Sequence, residues 1–217
     1  MPIDFQQARH AMVEQQVRPW DVLDPRVLDT LMRVQREDFV PPRHRKLAFA
    51  DLPLPLEHGE VMMKPLLEGR MLQALTLEAA DEVLEVGTGS GFVTACLAKL
   101  AREVVSIDRH SDFVDRARQR LGAEGAANVT IETADAFAWQ PGRLFDAIAV
   151  TGSVAADPDY FAQWLKPGGR LFVVHGLSPV QEALRVTRRD DALLRESLFE
   201  TDLPYLHGAA PAPRFVL

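Results

Sequence analysis

Val83-Leu84-Glu85-Val86-Gly87-Thr88-Gly89-Ser90-Gly91 is the stretch on which the fold turns. Residues 83–86 read as a buried strand and Phe92 opens a helical run, so the glycines occupy a strand-to-helix turn, where a loop can cradle a ligand. The spacing selects among glycine loops. A dinucleotide fingerprint, G-x-G-x-x-G, needs glycine at 92, where the chain has Phe92. A P-loop needs G-x-x-x-x-G-K, which this stretch lacks as well. What stands here is acidic-x-Gly-x-Gly-x-Gly, from Glu85 to Gly91. Without Cβ atoms, the main chain can close directly against what it binds.

Outward from the loop, strand-like runs at 82–86, 103–107, 129–132, 145–150 and 170–174 alternate with helical stretches at 93–100, 112–121 and 158–165. That alternation predicts an α/β fold: a doubly wound, mostly parallel, Rossmann-like sheet covered by helices on both faces. Lys166-Pro167-Gly168-Gly169 predicts a turn before the fifth strand. The runs 183–189 and 193–199 flank Asp190-Asp191 and predict a closing antiparallel hairpin, whose place in the sheet stays open. Ahead of the sheet lies an N-terminal helical cap. Asp4 caps a helix running to about residue 17 and stopped by Pro19; Asp24-Pro25 opens another, with Leu28, Leu31, Met32 and Gln35 on one face, ended by Pro41-Pro42. Residues 52–59 are too proline-rich for a helix and read as an extended loop, and a further helix is expected from Pro65 to Leu75.

The glycine loop resembles the S-adenosylmethionine loop of class I methyltransferases. The resemblance implies that Glu85, Gly87, Thr88, Gly89, Ser90 and Gly91 cradle the cofactor's methionyl and ribose parts. Asp108, 17 positions after Gly91 at the end of the second strand, is a carboxylate that can accept both ribose hydroxyls, with Arg109 beside it. Asp135 and Ala136 end the third strand, where that family hydrogen-bonds the adenine amine, and Thr151 ends the fourth, facing the transferred methyl group.

From about residue 12 to residue 206 the chain is similar to the protein-L-isoaspartate O-methyltransferases, which methylate isomerised aspartyl residues for repair. Arg36-Glu37-Asp38-Phe39-Val40-Pro41, Leu54-Pro55-Leu56-Glu57-His58-Gly59, Pro65, Gly69-Arg70-Met71, the glycine loop, the run 145–151 and Gly168-Gly169 carry that resemblance. It implies an S-adenosylmethionine-dependent carboxyl methyltransferase acting on isoaspartyl peptides or proteins. Leu54, Pro55, His58, Met62, Met63, His175 and Gly176 would then line the peptide cleft. The expected division is 1–80 for the cap and substrate-side segment and 81–217 for the cofactor-binding core, integrated as one domain. The chain departs from the family where the latter reads Gln-Thr-Ile-Ser-Gln-Pro, for here Glu60-Val61-Met62-Met63-Lys64-Pro65 stands. Met63 occupies the position of the substrate-contacting serine, and a thioether cannot donate to a carboxylate; no residue is therefore assigned a certain catalytic role. Further changes are Val174-His175-Gly176 for Pro-Val-Gly and Gly152-Ser153 for two alanines. The chemistry asks little of side chains. An aspartyl-type carboxylate has a pKa of about 4 and is ionised at neutral pH, so no general base is required and catalysis is mainly positioning and removal of water. Two other readings stay open: the same fold acting on a different carboxylate or small molecule, and a non-catalytic relative that binds cofactor or isoaspartyl peptide.

Composition bounds the rest. Acidic residues outnumber basic ones 31 to 24, a net charge of −7, which argues against a nucleic-acid partner. The single cysteine, Cys96, excludes an intrachain disulfide, fits a reducing compartment and sits among apolar residues as a core thiol. No apolar run approaches the roughly 18–20 residues that cross a bilayer, and Met1-Pro2-Ile3-Asp4-Phe5 lacks the basic flank of a secretory signal. The expectation is a cytoplasmic protein without a membrane partner. His10, His44, His58, His110, His175 and His207 show no metal-ligand spacing, so no metal site is expected. Arg43-His44-Arg45-Lys46 reads as a solvated helix end, Asp157 and Asp159 as a helix start, and Trp20, Trp139 and Trp164 as packing residues. The oligomeric state is not legible.

Overall fold

A computed structural model describes residues 3–212. The cap starts where the Asp4 carboxylate accepts the Gln7 N–H at 3.0 Å, satisfying a free donor of helix α1 (Phe5–Met12). The chain does not stop at Pro19. It runs through a π-turn (Val13–Val17) and a 3-10 turn (Arg18–Trp20) until Asp21 adopts a left-handed φ of 62°. Asp24 and Pro25 open α2 (Pro25–Arg33). This helix ends well before Pro41, because Val34 turns extended and a separate short helix, α3 (Arg36–Phe39), follows. The break leaves Gln35 exposed and carries Arg36 into the core.

The proline-rich stretch is a small hairpin, not a plain loop. β1 (Leu54–Pro55) pairs antiparallel with β2 (Val61–Met62), and His58 and Gly59 turn the tip at φ 59° and 79°. Helix α4 (Pro65–Ala74) follows.

The alternating half forms a seven-stranded sheet. β3 (Glu82–Val86) lies between β4 (Glu103–Asp108) and β6 (Phe145–Val154), with β5 (Val129–Thr133) outside β4 and β7 (Leu165–Leu177) outside β6, all parallel. The hairpin β8 (Val180–Arg189) and β9 (Ala192–Thr201) continues antiparallel beyond β7, giving the order β5-β4-β3-β6-β7-β8-β9. The expected helix at 158–165 is only a 3-10 turn (Tyr160–Trp164), because Leu165 already pairs with Phe145. Lys166–Gly169 is a bulge inside β7 rather than a turn before it.

Helices α5 (Phe92–Leu100) and α6 (Ser111–Ala123) are the crossovers that follow β3 and β4. Central strands buried on both faces need apolar side chains throughout, and Val83, Leu84, Ile148, Ala149 and Val150 are fully buried. One apolar cluster joins Met12, Leu31 and Leu72 of the cap to Val83 and Phe172 of the sheet and Leu97 of α5, so the two regions share a core. Cys96 lies in that core, where burial pushes its thiol well up. Trp164 packs as expected, but Trp20 is 60% exposed. Among the described residues no helix is long and apolar enough to cross a membrane. From β3 the chain crosses first toward β4 and later to β6. That switch point opens a crevice at the carboxyl ends of these strands.

Candidate functional site

A cavity of about 740 Å³, counted out to its open mouth, occupies that crevice. The glycine loop forms its floor and is fixed from behind. Thr88 Oγ1 lies 2.5 Å from Ser106 Oγ, and the Ser106 and Thr94 hydroxyls each donate to Glu85 Oε2 at 2.5 Å. This network ties the loop to β4 and to the first turn of α5. Glu85 is fully buried, and burial, against the pull of the two hydroxyls, pushes its carboxyl up to about 8. It is a neutral post beneath the loop at pH 7 and does not face the cavity. Thr88, Ser90 and Gly91 are turned away as well: Ser90 Oγ accepts from Phe92 N at 3.3 Å, and a Cβ on Gly91 would lie 3.0 Å from that of Ala117. Of the loop, only Gly87 and Gly89 reach the cavity. Gly87 has φ 98°, and a Cβ there would meet Thr151 Oγ1 at 2.2 Å, so this position excludes any side chain.

The Glu85 environment sets a pH dependence. Between about pH 4.5 and about 8 the native protein keeps a proton that the unfolded chain has lost, so this group makes stability fall as pH rises. Glu85→Gln keeps the shape and removes the titration. Denaturant unfolding at pH 5 and pH 7 should show the fall reduced by about 2–3 kcal/mol in the variant, at 1.36 kcal/mol per pH unit.

Asp108 is 8% exposed, and its two oxygens accept Gly89 N at 2.8 Å and His110 N at 2.9 Å. Two main-chain donors thus fix the carboxylate at the cavity wall, and each oxygen keeps a second lone pair for a ligand hydroxyl. Arg109 lines the cavity beside it. Past β5, Asp135 Oδ1 accepts Phe137 N at 2.9 Å, and Asp135 and Ala136 form the next section of wall. Thr151 closes the far side, its hydroxyl committed to the carbonyls of Gly87 (2.6 Å) and Val86 (3.0 Å). Gly87, Gly89, Asp108, Arg109, Asp135, Ala136 and Thr151 therefore meet on one cavity, while Glu85, Thr88, Ser90 and Gly91 stand behind it.

The residues expected along the peptide cleft do not line this cavity. Leu54 is fully buried, and Met62 and Met63 are 4% exposed, all three within the apolar core. Met63 offers a neighbour only its carbonyl, which accepts from Arg36 Nη2 at 2.7 Å. Pro55 is exposed and off the cavity. From this hairpin Leu56, Glu60 and Val61 line the cavity instead. His175 stands away from the cavity, with Nδ1 3.2 Å from Val154 O, on a shallow pocket shared with Glu182 and Arg195. Gly176 is also off it, its carbonyl accepting the Tyr205 hydroxyl at 3.1 Å.

His58 sits at the hairpin tip, where Nε2 meets Asp112 Oδ1 at 2.9 Å and the ring stacks on His110 at 4.1 Å, the planes 1° apart. His58, His110 and Asp112 are the one cluster of metal-ligand type among the described residues. No point lies in both ring planes, so the stacked imidazoles cannot each aim a nitrogen lone pair at one ion. The cluster instead joins the hairpin tip to the start of α6.

Sequence reasoning missed two parts of the wall. His110 and Phe113 come from the entry to α6, where their types carry no ligand signal. Leu203, Pro204, Tyr205, Leu206 and His207 come from the tail after β9, and only Pro204 marks that strand's end.

Comparison with known proteins agrees across nearly the whole chain. The family model described as Protein-L-isoaspartate(D-aspartate) O-methyltransferase matches residues 7–202. Protein-L-isoaspartate O-methyltransferase 1 of Rhodopseudomonas palustris (strain HaA2) is 37% identical over 97% of this chain and 89% of its own length. The Syntrophus aciditrophicus (strain SB) Protein-L-isoaspartate O-methyltransferase is 38% identical over 85% of each chain. Among solved structures, a Plasmodium falciparum protein described as a protein-L-isoaspartate O-methyltransferase, in complex with S-adenosyl-L-homocysteine, superposes with a TM-score of 0.80. It covers 94% of this chain and 99% of that one at 19% identity, a likeness of fold.

Proposed function

We propose, for a chain that belongs to the protein-L-isoaspartate O-methyltransferase family, that the cavity at the switch point is its methyl-transfer site. The chain is an S-adenosylmethionine-dependent methyltransferase of isoaspartyl residues. The residues present fit that cofactor. Gly87 and Gly89 present bare main chain to the cavity, Asp108 and Asp135 are acceptors at neighbouring strand ends, and Val86, Ile107, Phe113 and Ala134 supply apolar walls for a base. Asp108 would take the ribose hydroxyls, Asp135 the adenine amine, and the main chain at Gly87 and Gly89 the methionyl part. When bound, S-adenosylmethionine supplies an electrophilic methyl group on a sulfonium sulfur.

The observation that carries this reading is Asp108, held by Gly89 N and His110 N beside the glycine it must share a ligand with. An ionised acceptor carboxylate needs no base; Glu85 is buried and neutral, and the Thr151 hydroxyl is committed to carbonyls. What the chain contributes is orientation and exclusion of water. Met63 is packed away from the cavity, so acceptor contacts are assigned to Glu60 and Val61 of the hairpin and to the tail at 203–207.

The test is transfer of labelled methyl from S-adenosylmethionine to an isoaspartyl peptide beside the matched aspartyl peptide. Labelling selective for the isoaspartyl form is expected. Equal labelling of both, or none from protein that binds S-adenosylhomocysteine, would overturn the substrate and redirect the search to small carboxylic acids.

A further inference from the structure

The tail at 203–207 is not draped over the cavity but clamped to it. Ser153 is fully buried in β6 and Gln181, 1% exposed, lies in β8. Gln181 Nε2 donates to Ser153 Oγ at 2.9 Å, Ser153 Oγ donates to Leu203 O at 2.7 Å, and Leu203 N donates to Gln181 Oε1 at 2.8 Å. These three bonds close a ring in which each group both gives and receives. Main-chain bonds extend it, from Ser153 N to Pro204 O and from Leu206 N to Ser153 O, each 2.9 Å. Farther out, the Tyr205 hydroxyl accepts from Ser178 N at 2.9 Å and donates to Gly176 O. Such a buried, satisfied network holds one geometry, and loses it when a member is removed.

The clamp acts at one end of the cavity. Asp135 follows β5, whereas Thr151, Gly152 and the tail lie at β6, three strands away in the order β5-β4-β3-β6. At about 4.8 Å per strand that is roughly 14 Å. Pro204, Tyr205 and Leu206 therefore border the end where the transferred group meets its acceptor, while Gly208, farther along the tail, approaches Phe137, two residues past Asp135. The tail also sits too close to β6 for any change there: a Cβ on Gly152 would lie 2.7 Å from Leu206 Cδ2.

We propose that Gln181 and Ser153 are positioning residues for the methyl acceptor, their ring with Leu203 fixing the tail as the acceptor-side wall. This rests on the methyl-transfer reading of the cavity given above. Loosening the ring costs acceptor recognition and leaves cofactor binding nearly intact.

The experiment pairs steady-state kinetics on an isoaspartyl peptide with calorimetric binding of S-adenosylhomocysteine. Gln181→Met keeps length and removes both bonds; Ser153→Ala opens the ring from the other side. Both should lower kcat/KM for the peptide about tenfold or more, chiefly through KM, with the S-adenosylhomocysteine Kd changed less than about threefold. Gly152→Ala, outside the ring, should do the same by displacing Leu206, and serves if a ring variant fails to fold. Gln181→Glu adds a readout that a merely structural role would not move. Its neutral carboxyl can donate to Ser153 and accept from Leu203 while its carboxylate cannot donate, so its kcat/KM relative to wild type should recover as pH falls. Parallel losses of peptide and S-adenosylhomocysteine affinity, or unchanged peptide kinetics in folded variants, would overturn the proposal. A wild type inactive on the peptide would overturn the substrate reading instead. Hydrogen exchange then decides the clamp: faster exchange at Leu203 and Leu206 with S-adenosylhomocysteine affinity kept supports it, and lost affinity overturns it.

Discussion

Asp108→Ala raises the Kd for S-adenosylhomocysteine about 100-fold or more, read by calorimetry. Hydrogen bonds to a charged group contribute about 1.5–3 kcal/mol each, so two ribose hydroxyls on one carboxylate amount to roughly 3–6 kcal/mol. The carboxylate is already oriented by Gly89 N and His110 N, so little ordering offsets that gain. The variant also leaves these two main-chain donors without their partner, one of them in the glycine loop itself. Asp108→Asn keeps one acceptor oxygen and should lose about tenfold. Asp135→Ala should lose about tenfold or more, since its one expected bond, from the adenine amine to the carboxylate, contributes about 1.5–3 kcal/mol. A change below about threefold in Asp108→Ala would remove the ribose assignment, whatever the fate of activity.

That Gly87, Gly89, Asp108, Asp135 and Thr151 would meet on one cavity was legible because the requirements are local. A glycine loop between a strand and a helix, and acidic residues at the next two strand ends, are fixed by spacing within one βαβ repeat after another, and the parallel sheet brings those ends together. Even there, residue type did not reveal direction. Glu85 belongs to the motif but points behind the loop, because the strand that ends at Val86 sends alternate side chains to opposite faces. On the hairpin side, residue type did not tell which residues would reach the cavity. Choosing Met62 over Val61 requires the register of a two-residue strand, and Leu54–Pro55 gave no periodicity from which to take it. The tail was harder still: Ser153 and Leu203 are 50 positions apart, and nothing near either residue announces the other. Arg36 posed the related problem of a charge in a polar-looking segment, its burial settled only by a carboxylate 32 positions away.

Arg36→Met destabilises the protein by about 3–5 kcal/mol, with Glu68→Leu in the same range, by urea unfolding at constant m. Arg36 is fully buried; its guanidinium pairs with Glu68, donates to Ala48 O and Met63 O at 2.7 Å, and lies 4.7 Å from the Phe92 ring centre. One side chain thus joins α3, the segment after β2, α4 and the first residue of α5. Removing either charge strands the other in the core, which costs more than the pair is worth against apolar residues. The double variant, Arg36→Met with Glu68→Leu, should accordingly be less destabilised than the sum of the singles by at least about 2 kcal/mol. It should not recover fully, because the carbonyls of Ala48 and Met63 lose their donor in either background. Arg36 and Glu68 do not line the cavity, so the folded double variant should bind S-adenosylhomocysteine within about threefold of wild type. Strict additivity of the two losses would mean that the ion pair contributes nothing beyond its separate contacts. The junction of cap and sheet would then rest on the apolar cluster and on contacts such as Arg170 Nε to Leu75 O at 2.7 Å and Arg70 over the Phe199 ring.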